Sequence, residues 1–242
     1  MPTDMPSAAA AFAKTVNAMV ARQATLPHFM VYDARVHVHS DGDADYQLHY
    51  ELDITSGTFT LTVPSGPSPY ERDRVYPVEP DFNALTDFYT DGEWLSHARD
   101  DARFANGVRP LALAATADPG TAAVAGYTVR YAPRSNPDDP IIHLVLTASP
   151  DLELRRTVVR TVDIDTQTWL PTRVILHTPF GHSTVTIDYT VIAGVPLVTH
   201  YDIRKTVRAL FVTDRFSTEA TFENIVFDHA RSAARSSPPP NP

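Results

Sequence analysis

Apolar and polar residues alternate with a period of two through most of this chain, and with a period near 3.6 only at its start. Phe12, Val16, Met19 and Val20 fall at i, i+4, i+7 and i+8 on an alanine-rich stretch, which predicts a helix from about Ser7 to Gln23. Pro27 ends it, because the residue before a proline avoids helical dihedrals. Residues 31–39 and 45–54 then alternate as two strands joined across Ser40-Asp41-Gly42-Asp43. In the second of them Tyr46, Leu48, Tyr50, Leu52 and Ile54 share one face, and Asp45, Gln47, His49, Glu51 and Asp53 share the other. That is the signature of a sheet with one buried face and one wet face. A third strand is predicted over Thr58–Val63.

Periodicity then lapses. Residues 64–80 are proline-rich and predict a long surface loop, of the kind that is usually functional or disordered. Asp81 can cap a short helix carrying Phe82, Leu85, Phe88 and Tyr89, and Asp91-Gly92 separates it from a second over Glu93–Phe104 that presents Trp94 and Leu95. A brief apolar piece, Leu111–Ala115, ends at Asp118-Pro119-Gly120. From Tyr127 onward the pattern is almost entirely strand, with runs at 127–132, 141–148, 155–164, 169–177, 183–192, 196–207 and 211–227. The connections are short, and short turns between successive strands require antiparallel pairing.

The expected fold is α+β and mainly antiparallel β: a single strongly curved sheet, or unclosed β-barrel, of about ten strands with a helical lid. One half-barrel domain would span residues 7–228, between disordered ends at 1–6 and 229–242. A sheet of that width does not stay flat. Its inner face needs a cover, and the helices at 7–23 and 81–116 are too little to fill the concavity. An apolar cleft is therefore expected between the layers. Its lining would be Val36, Val38, Leu48, Tyr50, Leu52, Phe59, Leu61, Val174, Leu176, Val185, Ile187 and Tyr189, with Phe82, Leu85, Phe88 and Trp94 as lid contacts.

Composition narrows the chemistry. The 242 residues contain no cysteine, so disulfides, thiolate metal sites, iron–sulfur clusters and cysteine nucleophiles are excluded. The net charge of −9 comes entirely from residues 1–121, which hold 17 acidic and 8 basic side chains against 12 and 12 in the remainder. Beyond Arg155-Arg156 and Arg160 there is no basic stripe, which argues against nucleic-acid binding. No window approaches the ~20 apolar residues of a membrane-spanning helix. The first residues lack the charged and apolar regions of a signal peptide, so either the protein is cytoplasmic or a signal peptide has been removed.

Candidate chemical groups are few. His37 and His39 share one strand face, with His49 on the partner strand and Asp33 and Glu51 nearby, a set that could ligate a divalent metal. The plainer reading of that face is a solvated one, and no metal or other cofactor is expected. Asp41-Gly42-Asp43-Ala44-Asp45 resembles the start of a calcium loop, but Tyr46 and Leu52 stand where such a loop needs Gly and Glu. No G-x-S-x-G, H-E-x-x-H, P-loop or G-x-G-x-x-G pattern occurs, so no catalytic residue is assigned.

The run Val162-Asp163-Ile164-Asp165-Thr166, followed by Trp169-Leu170-Pro171-Thr172-Arg173-Val174, resembles the strand–turn–strand with a D-x-x-T…L-P-x-x-V pattern in LolA/LolB-like lipoprotein carriers. Gly181…Asp188-Tyr189 and Gly194-x-Pro196-Leu197 follow in similar order. LppX/LprG-type lipid carriers and RseB-type lipid-binding domains share that architecture. The resemblance implies a half-open barrel and a non-enzymatic carrier or binding protein for a lipid or acylated molecule. It further implies periplasmic or other extracytoplasmic placement, and a lipoprotein or membrane-associated partner. A sensor or protein-interaction domain on the same fold, and an unrecognised hydrolase, are the alternatives.

Overall fold

The computed structural model describes residues 6–23, 25, 29–39, 42–53, 58–65, 108–110, 119–124, 126–133, 139–150, 158–178, 181–209 and 212–227. Eleven strands form one antiparallel sheet: β1 (Phe29–His39), β2 (Asp43–Asp53), β3 (Thr58–Ser65), β4 (Val108–Pro110), β5 (Tyr127–Tyr131), β6 (Ile141–Ala148), β7 (Val158–Asp165), β8 (Pro171–Thr178), β9 (Gly181–Ile192), β10 (Val195–Ala209) and β11 (Val212–Phe227). Their spatial order is β4-β3-β2-β1-β11-β10-β9-β8-β7-β6-β5. Among the described strands β4 and β5 are the two edges and do not pair, so the curved sheet is unclosed.

Every neighbouring pair but one is also consecutive in sequence. The exception is β1 with β11, which joins the N-terminal strands to the C-terminal meander. Its register is broken by a bulge between Val31 and Asp33, opposite Asn224, whose φ of 53° is left-handed.

Helix α1 (Ala8–Gln23) starts where the sequence places it. The Ser7 hydroxyl accepts a hydrogen bond from the Ala10 amide at 3.2 Å, satisfying one of the orphan donors of the first turn. Phe12, Val16 and Met19 are buried, as the one-sided stripe requires. Phe12 meets Tyr127 of β5 edge to face at 6.3 Å. A short helix, α2 (Pro119–Val124), packs on α1 and carries a Gly120 amide that donates to Asn17 Oδ1 at 2.8 Å. The sequence signals only a chain break there, because six residues carry too little periodicity to announce a helix.

Boundaries shift by up to three residues, and one strand goes unannounced. β3 continues through Pro64 and Ser65, two residues that the sequence assigns to the loop. β4 has no sequence signal at three residues. The run 169–177 begins only at Pro171, because Trp169 has φ of 59° and belongs to the β7–β8 turn. The segments expected as lid helices over 81–104, the piece Leu111–Ala115, and the ends 1–5 and 229–242 lie outside the described residues.

The β7–β8 turn carries the motif behind the family resemblance, and its residues have structural roles. Asp165 Oδ1 accepts from the amides of Gln167 (2.7 Å) and Thr168 (3.1 Å), and the Trp169 amide donates to the Asp165 carbonyl at 2.8 Å. The Thr166 hydroxyl donates to the Pro140 carbonyl at 3.2 Å. Lys14 Nζ sits 3.8 Å from the centre of the Trp169 ring, tying the turn to α1. Asp165→Ala removes an acceptor from two turn amides and is expected to cost about 1–2 kcal/mol in urea unfolding. Asp165→Asn, which keeps an acceptor, should recover most of that.

Candidate functional site

Alternation sends one set of side chains from each strand to the inner face. Met30, Tyr32, Ala34, Val36 and Val38 of β1 are all buried, and their register partners on β2 include Tyr46, Leu48 and Tyr50. Val174 and Leu176 on β8, Val185 and Ile187 on β9, and Tyr201 on β10 continue the same surface. With the α1 stripe these residues form one hydrophobic cluster.

The centre of that face is aromatic. Tyr32 and Tyr50 stack at 4.7 Å with their planes 14° apart, Phe222 of β11 meets Tyr32 edge-on at 5.8 Å, and Tyr201 lies 5.8 Å from Phe222. Arg22, near the end of α1, donates from Nη1 to the Pro196 carbonyl at 3.2 Å and stands 6.0 Å over the Tyr189 ring. α1 thus runs from the β5 edge towards β9 and β10.

Of the expected cleft residues, Val36, Val38, Leu48, Tyr50, Val174, Leu176, Val185 and Ile187 lie in this one cluster, each no more than 6% exposed. Tyr189 is partly buried at its margin. Leu52, Phe59 and Leu61 have backbone partners in the β2–β3 register, but their side chains lie outside what the structure describes. Phe82, Leu85, Phe88 and Trp94 lie outside the described residues altogether. The low exposure shows that the inner face is shielded from water in this state, so a guest must displace what shields it. Tyr32 and Phe222 join the site without having been singled out. The Tyr32–Ala34–Val36–Val38 alternation was the signal for the first, whereas Phe222 becomes central only through the β1–β11 pairing.

The outer face has the opposite chemistry. All seven histidines among the described residues lie on it. His37 Nδ1 donates to Asp45 at 2.8 Å, His39 Nδ1 to Asp43 at 2.6 Å, His49 Nδ1 to Asp33 at 2.7 Å, and His143 Nδ1 to Asp163 at 2.7 Å. A carboxylate only accepts, so each Nδ1 carries the proton. His177 and His182 face each other across β8 and β9 with rings 6.1 Å apart. His37, His39 and His49 therefore each pair with a separate carboxylate, and no group of three His, Asp or Glu side chains among the described residues is set to hold a metal ion.

The Asp45 hydrogen bond raises the His37 pKa above the ordinary imidazole value of 6.5. The Asn224 amide, then His49, lowers that of Asp33, and His39 lowers that of Asp43. A groove of about 530 Å³ opens beside His37, lined also by Arg35, Asp45, Gln47, Ser65 and Glu219.

No family model matches the chain, and no curated protein matches it. It is similar to several solved structures. A DUF1329 family protein from Desulfovibrio piger is 10% identical, covers 93% of this chain and 95% of its own, and superposes with a TM-score of 0.44. A LolA superfamily protein from Nitrosomonas europaea is 10% identical over 90% and 94%, with a TM-score of 0.43. An outer membrane lipoprotein-sorting protein domain from Vibrio parahaemolyticus is 10% identical over 94% and 98%, with a TM-score of 0.46. Likeness at this level bears on neither ligand nor chemistry, and the functional reading rests on this chain's own residues. Among the described residues, no helix is long and apolar enough to cross a membrane.

Proposed function

We infer that the chain is a non-enzymatic carrier or binding protein for a lipid or acylated molecule, held on the inner face of the sheet and acting outside the cytoplasm. The observation that carries this reading is a continuous apolar inner face on a sheet whose edges, β4 and β5, are not joined. A closed barrel admits a guest only through its mouth, whereas an unclosed sheet can admit one along its open side once its cover moves.

An acyl chain gains about 0.8 kcal/mol per methylene removed from water, or about 11 kcal/mol for fourteen of them. Association costs of about 4–15 kcal/mol offset this, and occupancy is reduced further by the fraction of molecules in the open state. Chain length, more than headgroup contacts, then sets affinity. The resemblance in the β7–β8 turn implies the same function and the extracytoplasmic placement.

The test is to incubate the full chain with labelled palmitate or phosphatidylglycerol vesicles and weigh it by native mass spectrometry. One retained acyl molecule per chain, displaced by an unlabelled competitor of greater length, is expected. A protein that retains nothing, but captures a protein partner at fixed stoichiometry, would replace this reading with the protein-interaction one. The near-complete shielding of the inner face is the observation favouring that second reading.

A further inference from the structure

Among the described strands, the β1–β11 pairing is the one that joins strands not consecutive in the chain, and its two sides differ. Inside, Tyr32 meets Phe222 edge-on across it, and Tyr201 of β10 lies against Phe222. Outside, apart from Val31 opposite Val226 at one end, it is bridged by polar groups. Arg35 pairs with Glu223, Asn224 Nδ2 donates to Asp33 Oδ2 at 2.8 Å, and His37 stands opposite Glu219 in the register. His37 thus occupies the middle of a three-strand rung, with Asp45 on β2 to one side and Glu219 on β11 to the other.

We propose that this seam is a pH-sensitive joint, in which protonation of His37 between Asp45 and Glu219 tightens the pairing of the N-terminal strands to the meander in mild acid and slackens it above neutrality. The groups facing His37 favour its cation. Asp43, Asp45 and Gln47 face it from β2, with Asp43 Oδ1 3.9 Å from its Nε2. Ser217, Glu219 and Thr221 face it from β11. Arg35 and His39 flank it on β1, and His39 is engaged with Asp43. Beyond Glu219, β10 brings Asp202 into register, and His200 Nε2 lies 3.9 Å from Glu219 Oε1.

With the imidazole neutral, Asp43, Asp45 and Glu219 surround the rung while the neighbouring guanidiniums of Arg35 and Arg204 are held by Glu223 and Asp202, so repulsion among the three carboxylates acts across the seam. A proton on His37 offsets that repulsion and adds an attraction to both neighbouring strands. The groove beside His37 keeps the ring in contact with bulk protons.

The sign follows from linkage. A histidine whose pKa is raised by folding contributes stability that is complete below its unfolded value near 6.5 and is lost as pH rises through the folded value. Asp33 and Asp43, with lowered values, contribute above 3.8 and lose that contribution as pH falls further. The seam should therefore be tightest between about pH 4 and 6.5. The joint stands on the outer face, and it holds whether or not the inner face carries a lipid.

Amide hydrogen exchange of β1 and β11 at pH 6 and pH 8, corrected for intrinsic chemistry, tests it. The opening constant should be smaller at pH 6 by a factor of about 2–5, the size of one or two exposed ion pairs. Amides of α1, which carries no histidine, should show no such change. In His37→Gln the seam difference should vanish, and Glu219→Gln should reduce it. Equal opening at both pH values in the wild-type chain overturns the proposal, as does an undiminished difference in both variants. A wild-type His37 whose NMR titration midpoint lies at or below 6.5 overturns it even if neither variant folds.

Discussion

Replacing Tyr32 with alanine is expected to lower the unfolding free energy by about 3–5 kcal/mol, the usual range for removing a large aromatic from a packed core. For a domain of this size that corresponds to a fall of about 6–20 °C in melting temperature. Tyr32 has no exposed surface and makes two ring contacts at once, stacking on Tyr50 within the β1–β2 hairpin and meeting Phe222 across the seam. The substitution therefore opens a cavity where the two halves of the sheet meet, and neither strand can close it without leaving its ladder. Tyr32→Phe keeps both contacts and should fall well short of that loss. Thermal and urea unfolding, read by near-ultraviolet circular dichroism, separate the two. A loss under 1 kcal/mol in Tyr32→Ala would mean that the aromatic cluster is not the centre of the core.

Gly181→Ala is expected to destabilise by about 1–3 kcal/mol, as overpacking does. Gly181 opens β9, where it pairs with Thr178 of β8 and Val207 of β10. A Cβ added there would fall well inside van der Waals contact with the Thr206 carbonyl oxygen, an atom fixed in the β9–β10 ladder. A side-chain neighbour could rotate away, but a backbone carbonyl cannot without shifting the strand. Glycine here permits a close backbone approach. The expected readout is a lowered urea midpoint with an unchanged m-value, and faster amide exchange at the β9–β10 end. Gly42→Ala is the control, because a Cβ at Gly42 meets nothing within 4 Å.

Most of the individual elements were legible from the order of residues. Ten of the eleven described strands were found, all ten within three residues at either end, and the inner set Val36, Leu48, Val174, Val185 and Ile187 was read directly from period-two alternation. That works because a pleated strand turns alternate side chains to opposite faces wherever it lies. Turns and very short elements were less legible. Trp169 was read as strand because nothing in its identity announces a left-handed residue, and β4 and α2 are too short to show a period. The outer-face histidines were noted as possible metal ligands. Their actual hydrogen-bond partners, a different carboxylate for each, depend on cross-strand register.

The amino-acid order by itself determined an antiparallel meander with one greasy and one wet face, because hairpins join strands that are neighbours in the chain. Tertiary structure alone decided that the first strand pairs with the last, a contact reaching across 191 positions between Asp33 and Asn224. That pairing sets Phe222 against Tyr32 inside and Glu219 against His37 outside. It also decided that the inner face is shut in this state. Local periodicity fixes which way a side chain points, but not which distant strand it meets or what lies on top of it.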